Sequence, residues 1–152
     1  MRRIGFVCAI VAAIVAVGSI HGAEAQRDAA ATAVAIGATS APERALRGAL
    51  RQALAQELPS VRGVRLEETR RARYVLRGAV TRMDVRHDDD HTAIDCEVSL
   101  IVAERRRGTV RMMLSGRASA RGDQVERLRE SVVRAAVRGA LRPLGQAVAT
   151  AR

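Results

Sequence analysis

From Ala93 to Glu104 the chain alternates apolar and polar residues almost without a break. Ile94, Cys96, Val98, Leu100 and Val102 fall on one side, and Asp95, Glu97 and Ser99 on the other. Successive side chains of a β-strand point to opposite faces, so this period specifies a strand with one face buried and one wet. After Arg105-Arg106-Arg107-Gly108 the pattern returns from Thr109 to Ala120. Val110, Met112, Leu114, Gly116 and Ala118 then line the inner side. Thr109, Arg111, Met113, Ser115, Arg117 and Ser119 line the outer side. Two such runs joined by four residues ending in glycine predict an antiparallel hairpin, with Gly108 supplying a positive φ.

A third strand is expected over Tyr74 to Arg86, with Gly78 as a bulge or a point of close approach. It joins the first alternating run through the polar tip Arg86 to Thr92. Thr32 to Gly37 reads as an opening strand, and Val61 to Glu67 as a weaker one. Two amphipathic helices complete the pattern. Ser40-Ala41-Pro42-Glu43 reads as a capping box, followed by Leu46, Leu50, Leu54 and Leu58 at four-residue spacing. Asp123-Gln124-Val125-Glu126 opens the second, which carries Leu128, Val132, Val133, Ala136, Val137, Ala140 and Leu141 until Pro143 ends or kinks it. The expectation is an α+β two-layer sandwich in the order β-α-β-β-β-α. Its antiparallel-rich sheet has four to five strands, with both helices on one face. The single domain spans residues 32–144, behind a polar lead-in at 26–31 and ahead of a flexible tail at 145–152.

Residues 1–25 stand apart from this pattern. Met1-Arg2-Arg3 precedes an apolar run from Ile4 to Ile20, and Ala23-Glu24-Ala25 places small residues where a signal peptidase reads. This is the layout of a secretory signal peptide, and it places the mature protein outside the cytoplasm, in the periplasm of a bacterium. A retained membrane anchor is the alternative. With Cys8 in the signal, the mature chain keeps Cys96 as its one thiol and has no intramolecular disulfide.

The chain carries a formal charge of +10, and all 26 of its basic residues are arginine. With the abundant alanine, this matches the codon bias of a GC-rich genome. A basic exported surface fits anionic lipid headgroups or acidic glycans. Tyr74 is the one aromatic residue beyond the signal, so no stacking platform for bases or sugars is available. Export and this composition argue against nucleic acid as a partner, and no small-molecule substrate site is evident.

The run from Ala72 to Arg82, Ala-Arg-Tyr-Val-Leu-Arg-Gly-Ala-Val-Thr-Arg, resembles a strand motif of bacterial envelope proteins. The group is the TolB amino-terminal-like one, which includes curli-secretion lipoproteins and lipoprotein activators of penicillin-binding proteins. Arg73 stands where that motif usually has an acidic residue, and the lipidated cysteine common in the group is missing. The resemblance covers roughly residues 32–144 in element order. It implies a non-enzymatic periplasmic binding or assembly module, with no cofactor and with another envelope protein as its partner.

Three clusters carry candidate chemistry. His87-Asp88-Asp89-Asp90-His91 offers two imidazoles and three carboxylates to a divalent cation such as zinc, or forms a solvated hairpin tip. The calcium-loop spacing is not present. The outward sheet residues Asp95, Glu97, Arg111, Met113 and Arg117 form either cross-strand pairs or a partner-binding face. The helix arginines Arg44, Arg47 and Arg51, with Arg127, Arg134, Arg138 and Arg142, form either solvated faces or an electrostatic surface for anionic lipid or glycan. Neither a nucleophile elbow nor a fixed catalytic pair is recognisable around Ser99, Ser115, Ser119 or Cys96.

Overall fold

A computed structural model describes residues 31–87 and 91–150. The expected signal peptide lies outside the described residues, as do Asp88, Asp89 and Asp90. Five strands and two helices follow one another: β1 (Thr32–Ser40), α1 (Arg44–Glu57), a 3-10 turn (Leu58–Ser60), β2 (Val64–Leu66), β3 (Tyr74–His87), β4 (Thr92–Glu104), β5 (Val110–Gly122) and α2 (Val125–Thr150). The strands form one sheet in the order β2-β1-β3-β4-β5. β1 pairs in parallel with both β2 and β3, while β3–β4 and β4–β5 are long antiparallel ladders. The α+β class and the layering match the sequence pattern, and Val61 to Glu67 does supply a fifth strand, shortened to three residues.

The core lies between the sheet and the helices. α1 packs over β1 and β3, α2 over β4 and β5, and the helices meet each other. The leucine row of α1 is buried as its spacing requires, with Leu46, Leu50 and Leu54 on the helix and Leu58 on the following turn. Ile94, Cys96, Val98, Leu100 and Val102 of β4 are all buried on the same side. Each large side chain hidden in this way contributes about 1.5–3 kcal/mol relative to exposure.

α2 sits close to β5 because Gly116 leaves it room. A Cβ at Gly116 would overlap the backbone oxygen of Ala136 and come within 2.7 Å of the Ala140 nitrogen. Gly116, Ala136 and Ala140 are therefore one contact made of minimal side chains. Gly108 closes the β4–β5 hairpin at φ 70°, as expected, with its N–H donating to the Glu104 carbonyl at 2.8 Å.

Three local expectations need correction, and one pair of alternatives is decided. Of the bulge and the close approach expected at Gly78, the bulge falls instead between Val80 and Arg82, where Thr81 is the extra residue. That bulge moves the inward positions from Tyr74, Leu76 and Val80 to Met83 and Val85, an even-to-odd change in numbering. Gly78 marks a close approach instead, since a side chain there would press on Leu100 at 3.1 Å and Leu54 at 3.3 Å. The first capping box does not form. Ser40 stays in β1 opposite Ala79, and Glu43 becomes the cap residue without a side-chain cap bond. The carboxylate of Glu43 is used elsewhere, accepting from Arg129 of α2 at 3.0 Å. Val110, expected inward, is 53 % exposed because the ladder slips between Val102 and Ala103. Lastly, α2 does not stop at Pro143, and the expected tail at 145–152 is helical as far as Thr150. An interior proline costs a helix about 3 kcal/mol. Complete burial of Leu144 and close packing of Gly145 on Val61 and Arg62 offset that cost.

Candidate functional site

The outward face of β3, β4 and β5 is built by the same alternation that fills the core, read one residue out of phase. Its charges are mostly satisfied by each other. Asp95 on β4 accepts from Arg86 on β3 and from Ser119 on β5. The Ser119 hydroxyl, then the Arg86 and Arg82 charges, hold its carboxyl below the usual range. Glu97 faces Arg117 at 3.2 Å. At the end of the sheet, where the ladder slip leaves Arg111 as the extra residue, Glu104 stands opposite the core residue Tyr74. It binds Arg111, whose hydrogen bonds lower the Glu104 pKa, helped by the charges of Arg111, Arg107 and Arg73. Arg82 donates to Asp84 at 2.5 Å. Of the five face residues singled out from the sequence, Asp95, Glu97, Arg111 and Arg117 thus form cross-strand pairs. Met113 is different: it is 69 % exposed.

Met113 lies on β5, which among the described residues is hydrogen-bonded to β4 alone and forms one margin of the sheet. Along an edge strand, alternate residues present N–H and C=O groups that no neighbour completes. β5 offers 13 residues of such edge, whereas the opposite margin, β2, offers three. The exposed large apolar side chains among the described residues are Leu66 on β2 and Val110 and Met113 on β5. Val110 was expected in the core, so its place on this edge was missed. The ladder slip that turns it outward leaves no mark in its own alternation.

The two described histidines do not converge. His87 Nδ1 lies 3.1 Å from the Thr92 hydroxyl, and His91 Nδ1 lies 3.1 Å from Asp123 at the start of α2. Among the described residues no three His, Cys, Asp or Glu side chains gather as a metal site. Cys96 is buried, and desolvation pushes its thiol up to about 11, where it is a small hydrophobe at neutral pH.

The helix arginines also divide. Arg138 makes a bidentate bridge to Glu57 at 2.8 Å for both bonds, tying α2 to the end of α1. That bridge depresses the Glu57 pKa. Arg138 is therefore part of the helix–helix contact and not of a free electrostatic surface. Beside it, Val61, Arg62, Leu141 and Gly145 line a shallow groove of about 730 Å³. A second, more polar cleft of about 410 Å³ lies between the segments Arg70–Arg73 and Glu104–Arg107.

These features define an α+β domain with a two-helix cover, a mixed sheet and one long open edge. The same fold is found in protein XCC0632 from Xanthomonas campestris, with a TM-score of 0.58 and 10 % identity over 80 % of this chain and 86 % of that one. It is found again in PelC from Paraburkholderia phytofirmans, solved as a dodecamer. There the TM-score is 0.50 and the identity 18 %, over 72 % of this chain and 88 % of that one. At such identity the likeness is one of fold. Neither structure bears the TolB or curli names suggested by the Ala72 to Arg82 run. No protein-family model and no curated sequence matches the chain.

Proposed function

We propose that this chain is an exported, non-enzymatic binding or assembly module of the bacterial cell envelope, and that it engages another envelope protein through the open edge of β5. The observation that carries this reading is the 13-residue edge with Met113 and Val110 exposed along it. A partner strand laid against it would complete the backbone hydrogen bonds, and the two apolar side chains would supply contact area. The signal-peptide layout of residues 1–25 supports export. The fold shared with PelC, a dodecamer in its crystals, supports assembly as a use of this architecture.

The non-enzymatic part rests on the side chains. Among the described residues, neither histidine hydrogen-bonds a serine or Cys96, and the thiol is buried. The paired charges of the outward face act as a frame for the edge. Arg111 and Arg117 already have carboxylate partners, so Met113 carries the contact.

Placing a photo-crosslinking residue at Met113 in the native host tests this. A discrete cross-linked partner is expected, and the same probe at Arg127, on the exposed side of α2, should give none. Cross-linking from position 127 with none from 113 would move the contact to the helices.

A further inference from the structure

Two arginine-rich turns far apart in sequence meet at one end of the sheet. The connection from β2 to β3 supplies Arg70, Arg71 and Arg73, and the β4–β5 hairpin supplies Arg105, Arg106 and Arg107. Their meeting is fixed by backbone. The Arg105 N–H donates to the Arg73 carbonyl at 3.0 Å, and Arg105 Nε donates to the Ala72 carbonyl at 3.0 Å. Each turn is closed on itself, through Arg71 and Ala72 N–H to the Glu68 carbonyl and through Gly108 N–H to Glu104. The Arg73 guanidinium lies over the Tyr74 ring, 5.2 Å from its centroid.

Elsewhere on the sheet Arg65, Arg82, Arg86, Arg111 and Arg117 face carboxylates. Here one carboxylate, Glu104, lines the cleft, and it is already held by Arg111. None of the six arginines has a carboxylate partner among the described residues. Six clustered cations around one carboxylate that Arg111 already holds form a site for several oxyanions at once.

The position of this end identifies the occupant. β1 and β3 run in parallel, and the Arg73 N–H donates to the Ala33 carbonyl at 2.9 Å. The chain thus enters the fold at Thr32, beside the arginine cleft. Only eleven residues separate Thr32 from Ile20, the end of the apolar run, and they span at most about 40 Å. Where the apolar run is kept as a membrane anchor, this short tether holds the arginine end within reach of the bilayer.

We propose that this end is a docking surface for an anionic membrane leaflet, with the six arginines taking lipid phosphate groups. It uses residues separate from the β5 edge, so the domain holds a membrane with one end while the edge stays open to a partner. The contact is peripheral, since the cleft has no exposed aromatic ring to insert. It weakens as salt rises.

The test uses the chain as purified from its host's envelope. Its partition is measured onto vesicles of phosphatidylcholine alone and of phosphatidylcholine with phosphatidylglycerol. Any insertion of the amino-terminal segment is common to both, so the ratio reports the charge-dependent part. The quadruple variant R70Q/R71Q/R106Q/R107Q should lower that ratio by about ten-fold or more. The variant R44Q/R47Q/R51Q/R127Q, which removes equal charge from the helices, should change it by less than about two-fold. Circular dichroism establishes that both remain folded, and R106Q/R107Q alone should give an intermediate ratio. Equal losses in the two quadruple variants would overturn the proposal. So would a wild-type chain that captures inorganic tripolyphosphate but shows no preference for anionic vesicles.

Discussion

β4 has two faces made from interleaved residues, and they are stabilised in different ways. On the helix side, Ile94, Cys96, Val98, Leu100 and Val102 are removed from water by two helices. On the outer side, Asp95 and Glu97 answer arginines and a serine of the neighbouring strands while partly exposed to solvent. Burial of a leucine is a contribution of several kcal/mol, whereas an exposed ion pair contributes about 0–1. The difference teaches that the inner face sets the stability of the sheet. The outer face sets which charges are spoken for, and so which surfaces remain free to act.

The comparison is broken most directly by moving a truncation one residue along β4. Leu100→Ala should destabilise the domain by about 2–5 kcal/mol, and Ser99→Ala by no more than about 0.5, in urea unfolding followed by circular dichroism. Similar losses at both would mean that the strand phase is reversed. Gly116→Ala adds one carbon at the contact with Ala136 and Ala140. It should cost about 1–3 kcal/mol by forcing α2 off β5, although it enlarges the apolar surface. A neutral result would show that α2 is not seated as closely as described.

Chemical labelling sharpens the contrast next. With its thiol pushed up to about 11, Cys96 should resist a disulfide reagent at pH 8 in the folded protein and react fully in denaturant. Because the folded pKa lies above the ordinary 9.0, the stabilisation from keeping this thiol neutral is complete below pH 9. It is lost as pH rises through 11. Rapid labelling of the native chain would place Cys96 outside the core. The smallest effects belong to the outer face. Arg117→Ala should cost less than about 1 kcal/mol and less still in high salt. Ser119→Ala removes the main cause of the lowered Asp95 pKa. Its effect should be present above the ordinary value of 3.8 and fade as pH falls through the lower folded value, read from melting temperatures across an acid series.

Much of this architecture is written in local periodicities. The leucines at 46, 50, 54 and 58, and the even-numbered apolar residues of β4, each need only their own neighbours to declare a helix or a strand. The parity change in β3, from Leu76 and Val80 to Met83 and Val85, also announces a bulge. Its place at Thr81 is set by pairing with Val98 and Glu97, residues of a different strand. The continuation of α2 through Pro143 is likewise decided at a distance, by the packing of Leu144 and Gly145. The candidate surfaces follow the same division. Met113 could be assigned to the outer face from alternation alone. That β5 would be an open margin, with Val110 turned out beside it, depends on the order of strands in the sheet.

By itself the sequence determined the strands, the helices, their buried stripes, the basic charge and the export layout. These depend on the residues within a few positions along the chain. Tertiary structure decided which arginines are neutralised. Arg111, Arg117 and Arg138 find carboxylates on other elements, while Arg70, Arg71, Arg105, Arg106 and Arg107 gather without one among the described residues. Composition cannot distinguish these two groups. Coulombic pairing acts over a few ångströms of space, and those few ångströms join positions 7, 20 and 81 residues apart in the chain.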